Sequence, residues 1–205
     1  MSLRIFRWVA WGAVAIVGGL FLGLSGLLPG TQPRQPAVTS SGIATVGGPF
    51  TLASHKGEKF DSAQLSGKPY LIFFGFTFCP DVCPTTLMEL TDLMAELGPD
   101  ADKMNVVFIT VDPDRDTQDT LAEYLASFDK RIVALRGSQA ETDAVVKAYA
   151  AFASKVPMEG GQYTMDHTSG VYLMDANGRF SGMLDLHEPR QTKLEKVRRL
   201  VNPKR

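Results

Sequence analysis

Two cysteines and one histidine carry the chemistry open to this chain. Cys79 and Cys83, the only cysteines among 205 residues, sit in the stretch FTFCPDVCP with three residues between them. A disulfide across so short a separation closes a very small loop. In the chain-entropy view it would therefore stabilise the fold little. Inert core packing does not call for the prolines and the aspartate that flank the pair. What remains is a reactive dithiol or two arms of a metal site. The familiar redox spacing has two intervening residues and needs only the two sulfurs, whereas a metal site needs a further ligand. His167, in YTMDHTSG, is the candidate. Two thiolates and an imidazole are soft-to-borderline donors that suit copper, with Cu(I) drawn to the sulfurs. Zinc fits the ligand types, but structural zinc sites close with four ligands and no fourth is evident.

The remaining candidates are weaker. His55 lies beside Lys56 in a short hairpin and reads as a surface residue, and His187 in DLHEPR reads as a solvated loop residue. Met158 and Met165 flank the His167 stretch and are candidates for transient contacts, but the eight methionines form no methionine-rich motif. The stretch TVDPDRDT places Asp112, Arg115 and Asp116 at the end of a strand, on the edge where the cysteines lie. It reads either as a turn with a helix cap and a local ion pair, or as a loop that supports the site or meets a partner.

The elements that must position these residues follow from periodicity. Residues 50–54 and 59–60 predict a hairpin around Lys56-Gly57. The run KPYLIFFGFTF (68–78) is continuously apolar, the pattern of a central strand buried on both faces. Residues 85–97 repeat leucine and methionine at helical spacing until Gly98 and Pro99 stop them. MNVVFITVD (104–112) predicts a second buried strand, and 117–128 a second helix with Asp116 as its cap. RIVAL predicts another strand. Ser138 and Glu141 form a capping box that opens a helix reaching about Ala153. GVYLMD and RFSGML flank Asn177-Gly178 as a hairpin, and 192–201 predicts a last helix.

This order argues for an α/β domain with a central, mostly parallel sheet, helices on both faces and a closing antiparallel hairpin. It is the order of the thioredoxin superfamily, in which a cysteine pair stands where the first strand of the βαβ unit turns into its helix. Ligands of such sheets collect beyond the carboxyl ends of the strands, where Cys79 and Cys83 are expected. There the helix N–H groups favour a thiolate, expected at Cys83 in the first helical turn. A dithiol oxidoreductase of this superfamily carries a cis-proline before the next central strand. No proline occurs in YTMDHTS, and His167 occupies that stretch, at the start of the strand expected to pair beside the cysteine-bearing one.

Residues 8–28 contain no charge and, as a helix, would be about 31 Å long, enough to cross a bilayer core of about 30 Å. Arg4 and Arg7 precede them, which orients the amino terminus to the cytoplasm. The run exceeds a secretory h-region, so an uncleaved anchor is expected. Residues 29–41, rich in Pro, Gly, Thr, Gln and Ser, predict a flexible tether, and 42–205 a single domain. The absence of an Arg/Ser-rich transit segment favours a bacterial inner-membrane protein with its carboxyl-terminal domain in the periplasm. The alternative is the mitochondrial inner membrane, facing the intermembrane space. With 21 basic and 22 acidic residues and no basic stripe, nucleic acid is not an expected partner.

FFGFTFCPDVCP, TVDPDRDT and YTMDHTSGVYLMDANG, together with the amino-terminal apolar run and the terminal helix, resemble the Sco/SenC family of membrane-anchored copper proteins in cytochrome c oxidase assembly. The resemblance implies a thioredoxin-like fold (a central mixed β-sheet flanked by helices) behind an amino-terminal transmembrane helix. It also implies Cu(I) or Cu(II) binding through Cys79, Cys83 and His167. Asp166 keeps the family pattern, which implies a role in orienting or tuning the site. The implied partner is the CuA centre of oxidase subunit II, with other copper chaperones or thioredoxin-like reductants as further partners. Two activities fit the family, copper donation and thiol–disulfide reduction of the target's cysteines by Cys79 and Cys83. A peroxidase of peroxiredoxin type is a weaker third.

Overall fold

The computed structural model describes residues 46–203 together with four helical positions, Trp11, Ile16, Leu20 and Phe21. The chain divides into two units, Met1–Ile43 and Ala44–Arg205. The expected anchor (1–28) and tether (29–41) lie outside the described residues apart from those four positions. Among the described residues no helix is long and apolar enough to cross a membrane.

The domain begins with β1 (Thr51–Ser54) and β2 (Lys59–Asp61), then β3 (Tyr70–Gly75), α1 (Val82–Leu97), β4 (Asn105–Thr110), α2 (Gln118–Leu125), β5 (Ile132–Arg136) and α3 (Gln139–Ala148). It continues with β6 (Ala153–Pro157), β7 (Tyr163–His167), β8 (Val171–Met174), β9 (Phe180–Leu184) and α4 (Arg190–Val201). Seven strands form one sheet in the order β2-β1-β5-β4-β3-β8-β9. Every residue of β3 is buried, as its unbroken apolar run requires: a strand covered on both faces has no solvent side to mark with polar residues.

The sheet is mixed rather than mostly parallel. β3, β4 and β5 run parallel to their neighbours in that set, but β1 pairs antiparallel with β5 and β8 antiparallel with β3. The parallel set is linked by α1 and α2, as parallel neighbours require crossover connections. β8 reaches β3 after the longer excursion through β6 and β7. The fold is mixed α/β with the thioredoxin-like order read from the sequence.

Three local expectations are corrected. The cap of α2 is Thr117, whose side chain accepts the Thr120 N–H; Asp116 turns inward instead and is fully buried. The capping box of Ser138 and Glu141 forms as expected, but α3 ends at Ala148 instead of near Ala153. It closes with paired bonds, Ala151 N–H to the Val146 carbonyl and Ala150 N–H to the Lys147 carbonyl, with Ala150 at φ 49°. That is a Schellman closure with alanine in the position glycine usually takes. Finally, residues 153–167 fold into an antiparallel pair, β6 with β7, that forms a two-stranded sheet of its own. His167 therefore ends β7 and does not begin the strand beside β3.

Candidate metal centre

The cysteines stand at the carboxyl end of β3. Cys79 lies in the turn after Phe76, and Cys83 is the second residue of α1. Gly75, the last residue of β3, makes room for the second sulfur. A Cβ there would lie 2.9 Å from Cys83 Sγ and 2.7 Å from the Phe108 ring, the close approach that an isolated strand glycine commonly marks. Cys83 is fully buried and Cys79 half-buried.

The helix start treats the two sulfurs differently. The backbone N–H of Cys83 donates to Cys79 Sγ at 3.3 Å. A hydrogen bond from the Cys83 thiol, together with the backbone N–H groups of Cys83 and Asp81, draws the Cys79 pKa from the ordinary 9.0 down to about 5. Its hydrogen bond to Cys79 and its burial push Cys83 the other way, well above the ordinary thiol range. The pair thus holds one proton in common, with the thiolate at Cys79 and the thiol at Cys83. The helix end does favour a thiolate, but on Cys79, not on Cys83 as expected from position alone.

His167 completes the cluster from 84 residues further along, with Nε2 at 3.5 Å from Cys83 Sγ. Its Nδ1–H donates to the Thr168 carbonyl at 3.0 Å, which leaves Nε2 with a free lone pair turned toward the sulfurs, the tautomer a metal ligand needs. Phe76 meets the imidazole edge-on, with centroids 5.7 Å apart at 87°, and Phe73 lies at 6.1 Å. The two sulfurs and one ring nitrogen lie within 4.8 Å of one another, and no other cluster of potential ligands occurs among the described residues. The donor set and its spacing fit a soft ion bound by two sulfurs and one nitrogen.

The supporting residues fall into place unevenly. Asp166 is exposed, and its backbone pairs with Ser154. Among the described residues its carboxylate makes no hydrogen bond to His167; the Thr168 carbonyl does the orienting. Asp112 is fully buried, and its carboxylate accepts from Arg115 Nε and from Tyr163 Oη, the latter at 2.8 Å. Arg115 lies over the Tyr163 ring at 3.8 Å. Asp116 accepts from the Thr77 N–H and hydroxyl and from the Thr110 hydroxyl, and so fixes the loop two residues before Cys79.

The other candidates stand elsewhere. His55 is half-buried rather than a surface residue, and its Nδ1 accepts the Ala134 N–H at 3.1 Å. His187 is exposed, Met165 is buried in the core, and Met158 stands exposed between β6 and β7. Not foreseen from the sequence are Phe76 and the Thr168 carbonyl as neighbours of the histidine, and Tyr163 as the contact of Asp112 and Arg115. None carries a local signal, because each acts only through the placing of β7.

The sequence profile of the SCO1/SenC family matches residues 38–202. A SCO2-like protein of Rickettsia prowazekii is 36% identical over 176 residues, spanning 82% of this chain and 86% of the relative. The structure of Bradyrhizobium japonicum ScoI with copper bound superposes with a TM-score of 0.71 at 46% identity, covering 76% of this chain and 99% of that one. Yeast Sco1 with copper bound gives a TM-score of 0.72 at 34% identity, covering 78% and 91%.

Proposed function

Since the chain belongs to the SCO1/SenC family, we propose that it binds copper and serves in cytochrome c oxidase assembly as a metallochaperone. Copper is its cargo, held by Cys79, Cys83 and His167 and delivered to the CuA site of oxidase subunit II. The observation that carries the reading is the convergence of the three ligand atoms within 4.8 Å, with the lone pair of His167 Nε2 free. The similar structures of Bradyrhizobium japonicum ScoI and yeast Sco1, both with copper bound, support the choice of metal.

The chemistry of transfer follows from the unequal ligands. Two thiolates alone suffice for Cu(I), which accepts two-coordinate sulfur ligation, while Cu(II) needs the harder nitrogen. His167 is then the ligand that can leave first as an incoming sulfur takes its place. Cys83 must lose its proton when the metal arrives, so loading is coupled to proton release. In this reading residues 1–28 anchor the domain (42–205) in the membrane, with 29–41 as a tether. The membrane is the bacterial inner one, and the domain faces the periplasm.

A second reading, thiol–disulfide reduction of the target's cysteines, is favoured by the half-exposed Cys79 thiolate next to the protonated Cys83. Such a pair attacks a disulfide through Cys79 and resolves the mixed disulfide through Cys83. That reaction has no use for His167. The test is a His167→Ala variant of the full-length chain, titrated with Cu(II) and Cu(I). Loss of Cu(II) binding and of oxidase assembly in a deletion strain is expected. Unchanged copper affinity rejects the three-ligand site, and restored assembly transfers the function to the dithiol.

A further inference from the structure

The ligand atoms come from two parts of the chain that share no backbone ladder. Cys79 and Cys83 are carried by β3 and α1, rooted in the seven-stranded sheet, whereas His167 ends a strand of the separate two-stranded sheet. Only the short segment 168–170 leading into β8 ties the histidine to that sheet by backbone, so side-chain contacts also set its distance from the sulfurs. We propose that Arg115 is the positioning residue that sets it, bracing the strand that carries His167 against the loop that carries Cys79. The proposal rests on Cys79, Cys83 and His167 being the copper ligands.

The guanidinium is held from three directions at once. The buried carboxylate of Asp112 accepts Arg115 Nε and so fixes the side chain at the end of β4. Toward the hairpin, Nη1 donates to the Tyr163 carbonyl at 2.9 Å, and the plane lies 3.8 Å from the Tyr163 ring centroid. Tyr163 closes the triangle by donating its hydroxyl to the same Asp112. All three attachments fall on one residue of β7, the strand that ends at His167. Toward the cysteines, the guanidinium carbon lies 4.7 Å from the ring of Phe78, the neighbour of Cys79. It lies 5.9 Å from the ring of Phe76, which in turn meets His167 edge-on.

Lysine has no plane to place between rings and no fork to join a carboxylate and a carbonyl. The neighbouring Lys155–Asp114 pair links the same turn to β6, but both partners are exposed, and exposed pairs constrain little. Met165 is buried and anchors the middle of β7, so loss of Arg115 loosens the hairpin without releasing it.

The test compares the full-length chain in detergent with Arg115→Met, with the double variant Asp112→Asn/Arg115→Met, which leaves no unpaired buried carboxylate, and with the milder Tyr163→Phe. Each is first checked for cooperative unfolding. If Arg115→Met alone does not fold, the other two carry the comparison. The metal-free readout is amide hydrogen exchange of peptides covering residues 153–167, against peptides from β3 and α1. Exchange about tenfold faster in the hairpin alone is expected, the behaviour of a unit that opens locally. The copper readout is the nitrogen coupling in the electron paramagnetic resonance spectrum of the Cu(II) form. That coupling is expected to weaken with about a tenfold loss of Cu(II) affinity, the scale seen when a ligand's support is removed. Cu(I) affinity, set by the two sulfurs, should stay within about threefold. Folded variants with unchanged hairpin exchange and unchanged nitrogen coupling overturn the proposal. If the unaltered chain itself shows no nitrogen coupling, the copper-ligand reading fails instead, and hairpin exchange alone decides for or against the brace.

Discussion

Cys83 donates its backbone N–H to the sulfur of Cys79 at 3.3 Å. With the hydrogen bond from the Cys83 thiol as the larger contribution, this contact lowers the pKa of Cys79, so the turn that buries one cysteine helps to charge the other. The wide spacing of the pair makes this possible, because the three intervening residues let Cys79 lie before the helix while Cys83 lies inside it. One sulfur faces solvent as a thiolate and the other waits beneath it as a thiol, so an ion or a disulfide meets Cys79 first.

That asymmetry predicts the pH dependence of alkylation in the metal-free, reduced chain. The Cys79 pKa is lowered to about 5, so the thiolate predominates above that pH and is lost only as the pH falls through it. Iodoacetamide should label Cys79 at a nearly constant rate from pH 9 to about 6, with the rate falling toward pH 5. Cys83, protonated and buried, should stay unlabelled throughout. Mass-spectrometric mapping distinguishes the two sites, and a Cys79 rate that rises through pH 8–9 would contradict the asymmetry.

Gly75→Ala tests the space left for the second sulfur. The added methyl would sit 2.9 Å from Cys83 Sγ, 2.7 Å from the Phe108 ring and 3.2 Å from the Phe73 ring, in a fully buried strand with nowhere to yield. Overpacking of this kind costs about 1–3 kcal/mol. Urea unfolding should register the loss. A competition titration should show weaker copper binding, since the sulfur has to move.

The carboxylate of Asp116 is buried, and burial raises its pKa against the hydrogen bonds from Thr110 and Thr77 that lower it. Replacing it with alanine orphans the Thr77 N–H and two hydroxyls. Each unsatisfied buried group costs about 1–3 kcal/mol. Asp116→Ala should therefore lower the unfolding midpoint clearly, and should loosen the 76–79 loop enough to reduce Cu(I) affinity. Unchanged protection of that loop in hydrogen exchange would show that Asp116 does not hold it.

His55 gives a pH effect on stability far from the site. Burial lowers its pKa below the ordinary 6.5, and Nδ1 accepts the Ala134 N–H in the neutral form. The unfolded chain then binds a proton that the folded chain refuses, so stability rises with pH in this range. The contribution is complete above pH 6.5 and is lost as the pH falls through the lowered value. In urea titrations between pH 7 and 5, His55→Gln should flatten this part of the decline. An unaltered slope would assign the decline to other groups.

Much of the domain was legible because its signals are local. The buried strand expected over 68–78, which forms over 70–75, the leucine spacing of α1, the capping box at Ser138 and the Asn-Gly turn are each written within a few residues. The end of α3 was not legible. An alanine-rich stretch favours continuing the helix, and the stop is made by Ala150 in a left-handed conformation. Tyr149 turns into the core there, packing on Phe50, Phe74 and Tyr172. That stop creates the β6–β7 hairpin, which is why the hairpin was not foreseen either.

The sequence by itself singled out the two cysteines and the histidine that the fold brings together and the family pattern, since residue type and short-range spacing suffice for these. Only the tertiary structure decided that His167 approaches Cys83 from a second sheet, that the lowered pKa falls on Cys79 and not on Cys83, and that Arg115 reaches the strand that carries His167. The reason is physical: the approach of a ring nitrogen to a sulfur 84 residues away depends on packing between elements. No periodicity along the chain encodes it.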